Sequence, residues 1–135
     1  MPAHHVIDKK NKLIVTTWEG DVVDIDLIEA LKIYQQEIQG HPDYLGYNEL
    51  VDFSNVGRIK VTTEGIKNIG RTASTTDQNG IDRKLAFVVS SDLAFGLARM
   101  YEVYRSFSRK TNKEVRTFKN RSDACKWVTD NTEEE

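Results

Sequence analysis

A chain of 135 residues, 39% hydrophobic and 30% charged, has the size and mixture of one globular domain rather than of two cores or of a disordered or fibrous protein. One cysteine, Cys125, excludes an intramolecular disulfide and any multi-cysteine metal site, and a net charge of −2 points to no particular partner by itself. The longest apolar run, residues 85–89, is too short to cross a bilayer, and the N-terminus lacks the apolar core of a signal peptide, so the expected compartment is the cytoplasm without membrane insertion.

Residues 4–8 and 12–18 read as two β-like runs joined by the polar turn Asp8-Lys9-Lys10-Asn11. The second, Leu13-Ile14-Val15-Thr16-Thr17-Trp18, is rich in the β-branched and aromatic side chains that suit a half-buried pleated surface, so the pair reads as a hairpin. Glu19-Gly20-Asp21 breaks the pattern, and Asp21 or Asp24 is placed to cap a helix. In that helix Leu27, Leu31, Tyr34 and Ile38 fall at i, i+4, i+7 and i+11 on one face, with Ile28 widening the stripe. Gly40, with Pro42 just beyond, stops it.

Residues 47–53 form the next strand region, ended by the turn residues Ser54-Asn55. A short extended piece, 58–61, leads to Thr62-Thr63-Glu64, where either threonine can cap a helix carrying Ile66, Ile69, Gly70 and Ala73 on one face. That helix frays into a polar loop over residues 74–82. Residues 84–90 hold Leu-Ala-Phe-Val-Val, a continuous apolar run of the kind a central strand shows when both its faces are covered. Ser91 or Asp92 caps the following helix, whose stripe reads Leu93, Leu97, Met100 or Tyr101, Tyr104 and Phe107. Residues 114–118 make the last strand. Ser122 caps a short helix packing Ala124, Trp127 and Val128, and the chain from Thr129 reads as a frayed tail.

The predicted order is ββαβαβαβα. It describes one α/β domain over residues 1–130, with a mixed, mostly parallel five-stranded sheet flanked by helices, and an acidic tail at 131–135.

Charge is unevenly spread. Lys32 is the one base among the many acids of residues 19–53, whereas Lys and Arg dominate residues 95–127. Such polarity can orient a partner or favour an anion on the basic side, or it can simply mark two solvated faces. The basic stretch 109–121 contains Phe118 as its one aromatic in an acidic protein, which argues against nucleic-acid binding.

No catalytic set stands out. Gly65-Ile66-Lys67-Asn68-Ile69-Gly70-Arg71-Thr72 approximates a phosphate-loop pattern, but the window is helical in period and arginine replaces the lysine. His4, His5 and His41 have no metal-ligand spacing, and no nucleophile elbow is present, so neither a metal nor a cofactor is expected. Cys125 beside Trp127 reads as a packed residue rather than a reactive thiol. Gly96 is more informative, because a glycine inside a helix costs about 1 kcal/mol relative to alanine. It implies close approach by the sheet, another helix or a ligand, and marks Asp92, Gly96, Arg99 and Tyr101 as a candidate ligand or partner patch.

Leu50-Val51-Asp52-Phe53-Ser54-Asn55-Val56, followed by Val61-Thr62-Thr63-Glu64-Gly65-Ile66, resembles the SpoIIAA-like branch of the STAS superfamily of anti-sigma-factor antagonists. In that family an apolar strand ends in Asp-Leu-Ser and a short segment leads to a Ser/Thr-Gly helix start. The string from Phe95 to Tyr101 is also similar to one in uncharacterised SpoIIAA-like proteins. The resemblance spans nearly the whole chain and implies a sheet flanked by helices with the first strand at an antiparallel edge. It further implies a non-enzymatic protein-interaction or regulatory module, switched by phosphorylation at the start of the second helix. Here the corresponding surface is Thr62, Thr63 and Glu64, with the departure that the leading aspartate of the family string is missing and Glu64 is inserted before Gly65. Related folds bind lipids or other small apolar ligands in a groove, which is the alternative function. The expected partner is thus a protein or a small apolar ligand, and the oligomeric state is left open, a homodimer included.

Overall fold

The computed structural model describes residues 3–75, 82–106 and 112–129. The expected polar loop beyond Thr75, Phe107, the first residues (109–111) of the basic stretch and the tail from residue 130 lie outside the described residues.

The hairpin forms as its alternation predicts, β1 (Ala3–Asp8) pairing antiparallel with β2 (Leu13–Val23) around a turn in which Asp8 accepts from the Asn11 side chain and backbone. Glu19-Gly20-Asp21, expected to break the chain out of the sheet, instead stays in β2. Two register shifts beside β3 (Asn48–Lys60) and the positive φ of Gly20 (74°) absorb the irregularity and let the strand bend without ending. With β2 this long, the two pieces expected at 47–53 and 58–61 are one strand, and Ser54-Asn55 lies within it.

Helix α1 (Asp24–Gly40) starts at Val23, whose N–H is accepted by the Asp26 carboxylate at 3.0 Å. The two acids expected as caps do something else. Asp21 accepts from the backbone N–H of Arg58 at 3.0 Å, joining the far ends of β2 and β3, and Asp24 accepts from Thr62, tying the start of α1 to the start of α2 (Thr63–Ser74). A short 3-10 turn, Pro42–Gly46, leads from α1 into β3.

Strand β4 (Asp82–Val88) precedes α3 (Asp92–Ser106), which Ser91 caps by accepting from the Ala94 N–H at 3.1 Å. The inward stripe of α3 is Ala94, Leu97, Ala98, Tyr101 and Arg105, which keeps Leu97 and Tyr101 of the expected line, with Tyr104 half-buried against Gly70 of α2; Leu93 and Met100 face outward. Ala94 fits against the sheet where a larger leucine would hold the helix away. After β5 (Asn112–Phe118), α4 (Arg121–Thr129) is capped by Asn120, which accepts from the Asp123 N–H at 2.8 Å, rather than by Ser122.

The sheet runs β1-β2-β3-β4-β5 in chain order, antiparallel at β1–β2 and parallel thereafter. Crossovers between parallel strands are right-handed, so steps taken always in one direction put every crossover helix on the same face. Accordingly α1, α2 and α3 form one layer. Among the described residues the opposite face carries α4 alone, over a core of Leu13, Leu50, Ala86, Val88, Ala124 and Val128, with Cys125, Trp127 and Phe118 half-buried at its rim. Residues 85–88 are therefore covered on both sides, as their unbroken apolar run predicts.

Candidate functional site

Between the sheet and the three-helix layer lies a cavity of about 160 Å³. Its floor alternates out of the strands, with Trp18 from β2, Val51 and Phe53 from β3, and Leu85 and Phe87 from β4. Its roof is the inward stripe of each helix: Leu27, Leu31 and Ile38 from α1, Ile66, Ile69 and Ala73 from α2, and Leu97, Ala98 and Tyr101 from α3. The aromatic floor is continuous. Trp18 stacks on Phe53 with ring centroids 5.6 Å apart, Phe53 meets Phe87 at 6.0 Å, and Tyr101 stands edge-on to Phe87 at 5.5 Å.

The end nearest the starts of β3 and β4 is polar, with His5, Thr16, Tyr34, Gln35, Glu49 and Arg83 in the wall. Glu49 and Arg83 form an ion pair whose side chains are only 10% and 11% exposed. The Tyr34 hydroxyl donates to the same Glu49 oxygen and accepts from Arg83 Nη2 at 2.7 Å, while Arg83 Nε donates to the Tyr47 carbonyl at 2.9 Å. Burial and the Glu49 charge push the Tyr34 phenol well above its ordinary range, against the weaker pull of Arg83. His5 Nδ1 is 2.7 Å from Thr16 Oγ1, and its Nε2 is buried. Burial moves the His5 imidazole below 6.5, opposed by the Ala30 carbonyl and the Glu37 and Glu49 carboxylates. The polar end therefore carries a cancelled ion pair, a neutral phenol and a largely neutral imidazole at neutral pH.

The residues marked by sequence fall into three places. Thr62 caps α2. Its Oγ1 accepts from Gly65 N–H at 2.9 Å and donates to Asp24 at 2.6 Å, while its own N–H donates to Asp24 at 2.9 Å. Thr63 and Glu64 are exposed beside it, Glu64 lying 4.0 Å from Arg71. Asp92, Gly96 and Arg99 lie on the outer face of α3, where a Cβ on Gly96 would meet nothing within 4 Å, so packing on the sheet does not account for that glycine. Tyr101, grouped with them by sequence, is buried on the opposite side of the helix in the cavity wall. Asp52 is buried at the end of the first half of β3, bonded to Ser54 N–H at 2.8 Å, Ser54 Oγ at 2.6 Å and Arg121 Nη1 at 2.8 Å. The Asp-Phe-Ser string thus anchors α4 to the sheet.

No protein-family model and no curated protein matches this chain. Among solved structures, an uncharacterized protein of the DUF3478 family with a SpoIIAA-like fold, from Shewanella loihica PV-4, is similar at a TM-score of 0.58 over 93% of this chain and 91% of that chain, at 12% identity. The fold is SpoIIAA-like. Within this SpoIIAA-like frame, Glu49 and Arg83 are the site residues that sequence reading passed over. The signal was available in the two-residue period of their strands: Glu49 shares a face with Val51 and Phe53, and Arg83 with Leu85 and Phe87, so an acid and a base enter one apolar layer on neighbouring strands. Among the described residues no group of three or more His, Cys, Asp or Glu is arranged to hold a metal, and no helix is long and apolar enough to cross a membrane.

Proposed function

We propose that this SpoIIAA-like domain is a non-enzymatic binding module that holds a small, uncharged, largely apolar ligand between its sheet and its helical layer. The observation that carries this reading is the cavity itself. At about 160 Å³ it matches the roughly 150 Å³ apolar cavity that accepts benzene in an engineered protein, so the ligand is about one substituted ring in size. Its charge follows from the wall. Arg83 is already engaged by Glu49, Tyr34 and Tyr47, and a ligand carboxylate would meet Glu49 as well. Thr16, Tyr34 and Gln35 can accommodate one hydroxyl or carbonyl.

The test compares toluene, benzyl alcohol and benzoate by thermal shift and by the fluorescence of Trp18, which lines the cavity. Benzyl alcohol and toluene should raise the melting temperature, benzoate should not, and Ala98→Leu, which fills the cavity, should abolish the shift. If none of the three moves either signal, the reading fails.

A second reading, a protein-interaction or regulatory module like the anti-sigma-factor antagonists, is favoured by the exposure of Thr63 on the first turn of α2. A phosphate there would gain from the helix N-terminus. Asp24 and Glu64 already place two carboxylates at that end, which weakens this reading relative to the cavity.

A further inference from the structure

His5 and Thr16 are paired residues on the antiparallel strands β1 and β2, and both side chains line the polar end of the cavity. His5 Nδ1 stands 2.7 Å from Thr16 Oγ1, and the Ala30 carbonyl on α1 accepts from the ring. A neutral imidazole carries one N–H and therefore cannot donate in both directions, and a carbonyl can only accept. The other donors at this end are directed elsewhere. The Tyr34 hydroxyl gives its hydrogen to Glu49, and the Gln35 amide donates to the Thr72 carbonyl at 2.8 Å and to Thr75 Oγ1 at 3.4 Å.

We infer, on the reading of the cavity as a ligand site, that neutral His5 keeps its proton on Nε2 and that protonation of Nδ1 turns the Thr16 hydroxyl from acceptor to donor toward the ligand. In the neutral state Thr16 gives its single hydrogen to Nδ1 and shows the cavity only lone pairs, which suit the O–H of an alcohol or phenol. Once Nδ1 carries a proton it donates to Oγ1, and the Thr16 hydrogen is freed for the carbonyl of an aldehyde or ketone. The titratable and charged groups around the ring are Tyr34 and Glu37 on α1 and Glu49 on β3, the last paired with Arg83 on β4. His4, on the same strand, is turned to the other face of the sheet by alternation. Burial lowers the imidazole below 6.5 against the Ala30 carbonyl and the two carboxylates, so the reversal falls on the acid side of neutrality. His5 and Thr16 together thus set which polar group a ring-sized ligand carries.

Calorimetric titration with benzyl alcohol and benzaldehyde tests this, because the two share one heavy-atom skeleton and neither titrates near neutrality. At about pH 7.5 the alcohol should bind about fivefold more tightly than the aldehyde, the worth of one neutral hydrogen bond, and that preference should be lost by about pH 5. In Thr16→Val and in His5→Gln the ratio of the two affinities should no longer change with pH, whereas His4→Gln should keep the change. Nitrogen chemical shifts of His5 in the ligand-free protein read the tautomer directly, and Nδ1 should be unprotonated at about pH 7.5. A proton on Nδ1 at that pH, a wild-type ratio that stays constant, or a pH-dependent ratio that survives both Thr16→Val and His5→Gln overturns the inference and leaves the cavity reading standing. If neither compound binds at either pH, both fall.

Discussion

Burial alone would push the Asp52 carboxyl up, yet the Ser54 hydroxyl and N–H and the Arg121 guanidinium outweigh it and hold the group below its ordinary value. The folded state therefore releases the proton more readily than the unfolded chain. Stabilisation from Asp52 is complete above the unfolded value of about 4 and is lost as pH falls through the lower folded value. His5 acts at higher pH. Its depressed imidazole costs the fold stability as pH drops below 6.5, because the unfolded chain takes up that proton first. Urea midpoints should thus decline in acid. Asp52→Asn should be weaker at pH 7 by about 1–2 kcal/mol and should lose part of the decline below about pH 4. A variant with the full wild-type acid slope would show that Asp52 is not its source. Glu49 and Arg83 follow a different logic, since a buried ion pair contributes little net stability, and here it leaves the polar end of an apolar cavity without net charge. That pair was legible in the strand alternation. The hydroxyl of Tyr34 that completes it was not, because pairing α1 with β3 is a tertiary fact.

At the scale of elements, close approach between neighbouring helices is set by glycines on α2. A Cβ on Gly70 would lie 2.5 Å from the ring of Tyr104, and one on Gly65 would lie 2.2 Å from the Asp24 carboxylate that holds Thr62. The two contacts fix α2 against α3 and against the start of α1. Gly70→Ala should therefore destabilise the fold by about 1–3 kcal/mol despite its better helix propensity, measured by urea unfolding. A neutral or stabilising result would mean the ring of Tyr104 can move aside. Element type and order were legible because alternation and helical period survive in local sequence. Element length was less so. The continuity of β2 and β3 through Glu19-Gly20-Asp21 and Ser54-Asn55 depends on bulges that only pairing between strands makes favourable. In the stripe expected of α3, Leu97 and Tyr101 do face inward, whereas Leu93 does not, because small Ala94 is buried in its place and hydrophobicity alone favours the larger side chain.

For the whole molecule, the strand order sorts function from support. Because the order of the described strands never reverses, they form no switch point with a crevice at the strand ends, and the cavity among the described residues lies between layers instead. The α4 face is sealed by one short helix. A chain ending at residue 119 should leave Leu13, Leu50, Ala86 and Val88 uncovered, bind a hydrophobic dye and lose cooperative unfolding. Retained cooperativity would show that α4 is dispensable.

The same strand order bears on how the chain is made. Each strand pairs with the one synthesised just before it, so a chain leaving the ribosome can add each new strand to an edge already present, without waiting for distant segments. The exceptions come with α4, after all five strands: Asn48 donates to the Val128 carbonyl and Arg121 reaches back to Asp52, joining partners 80 and 69 positions apart. Growth from one edge, closed by a later clasp, would leave the α4 face open to the surroundings until α4 itself has emerged.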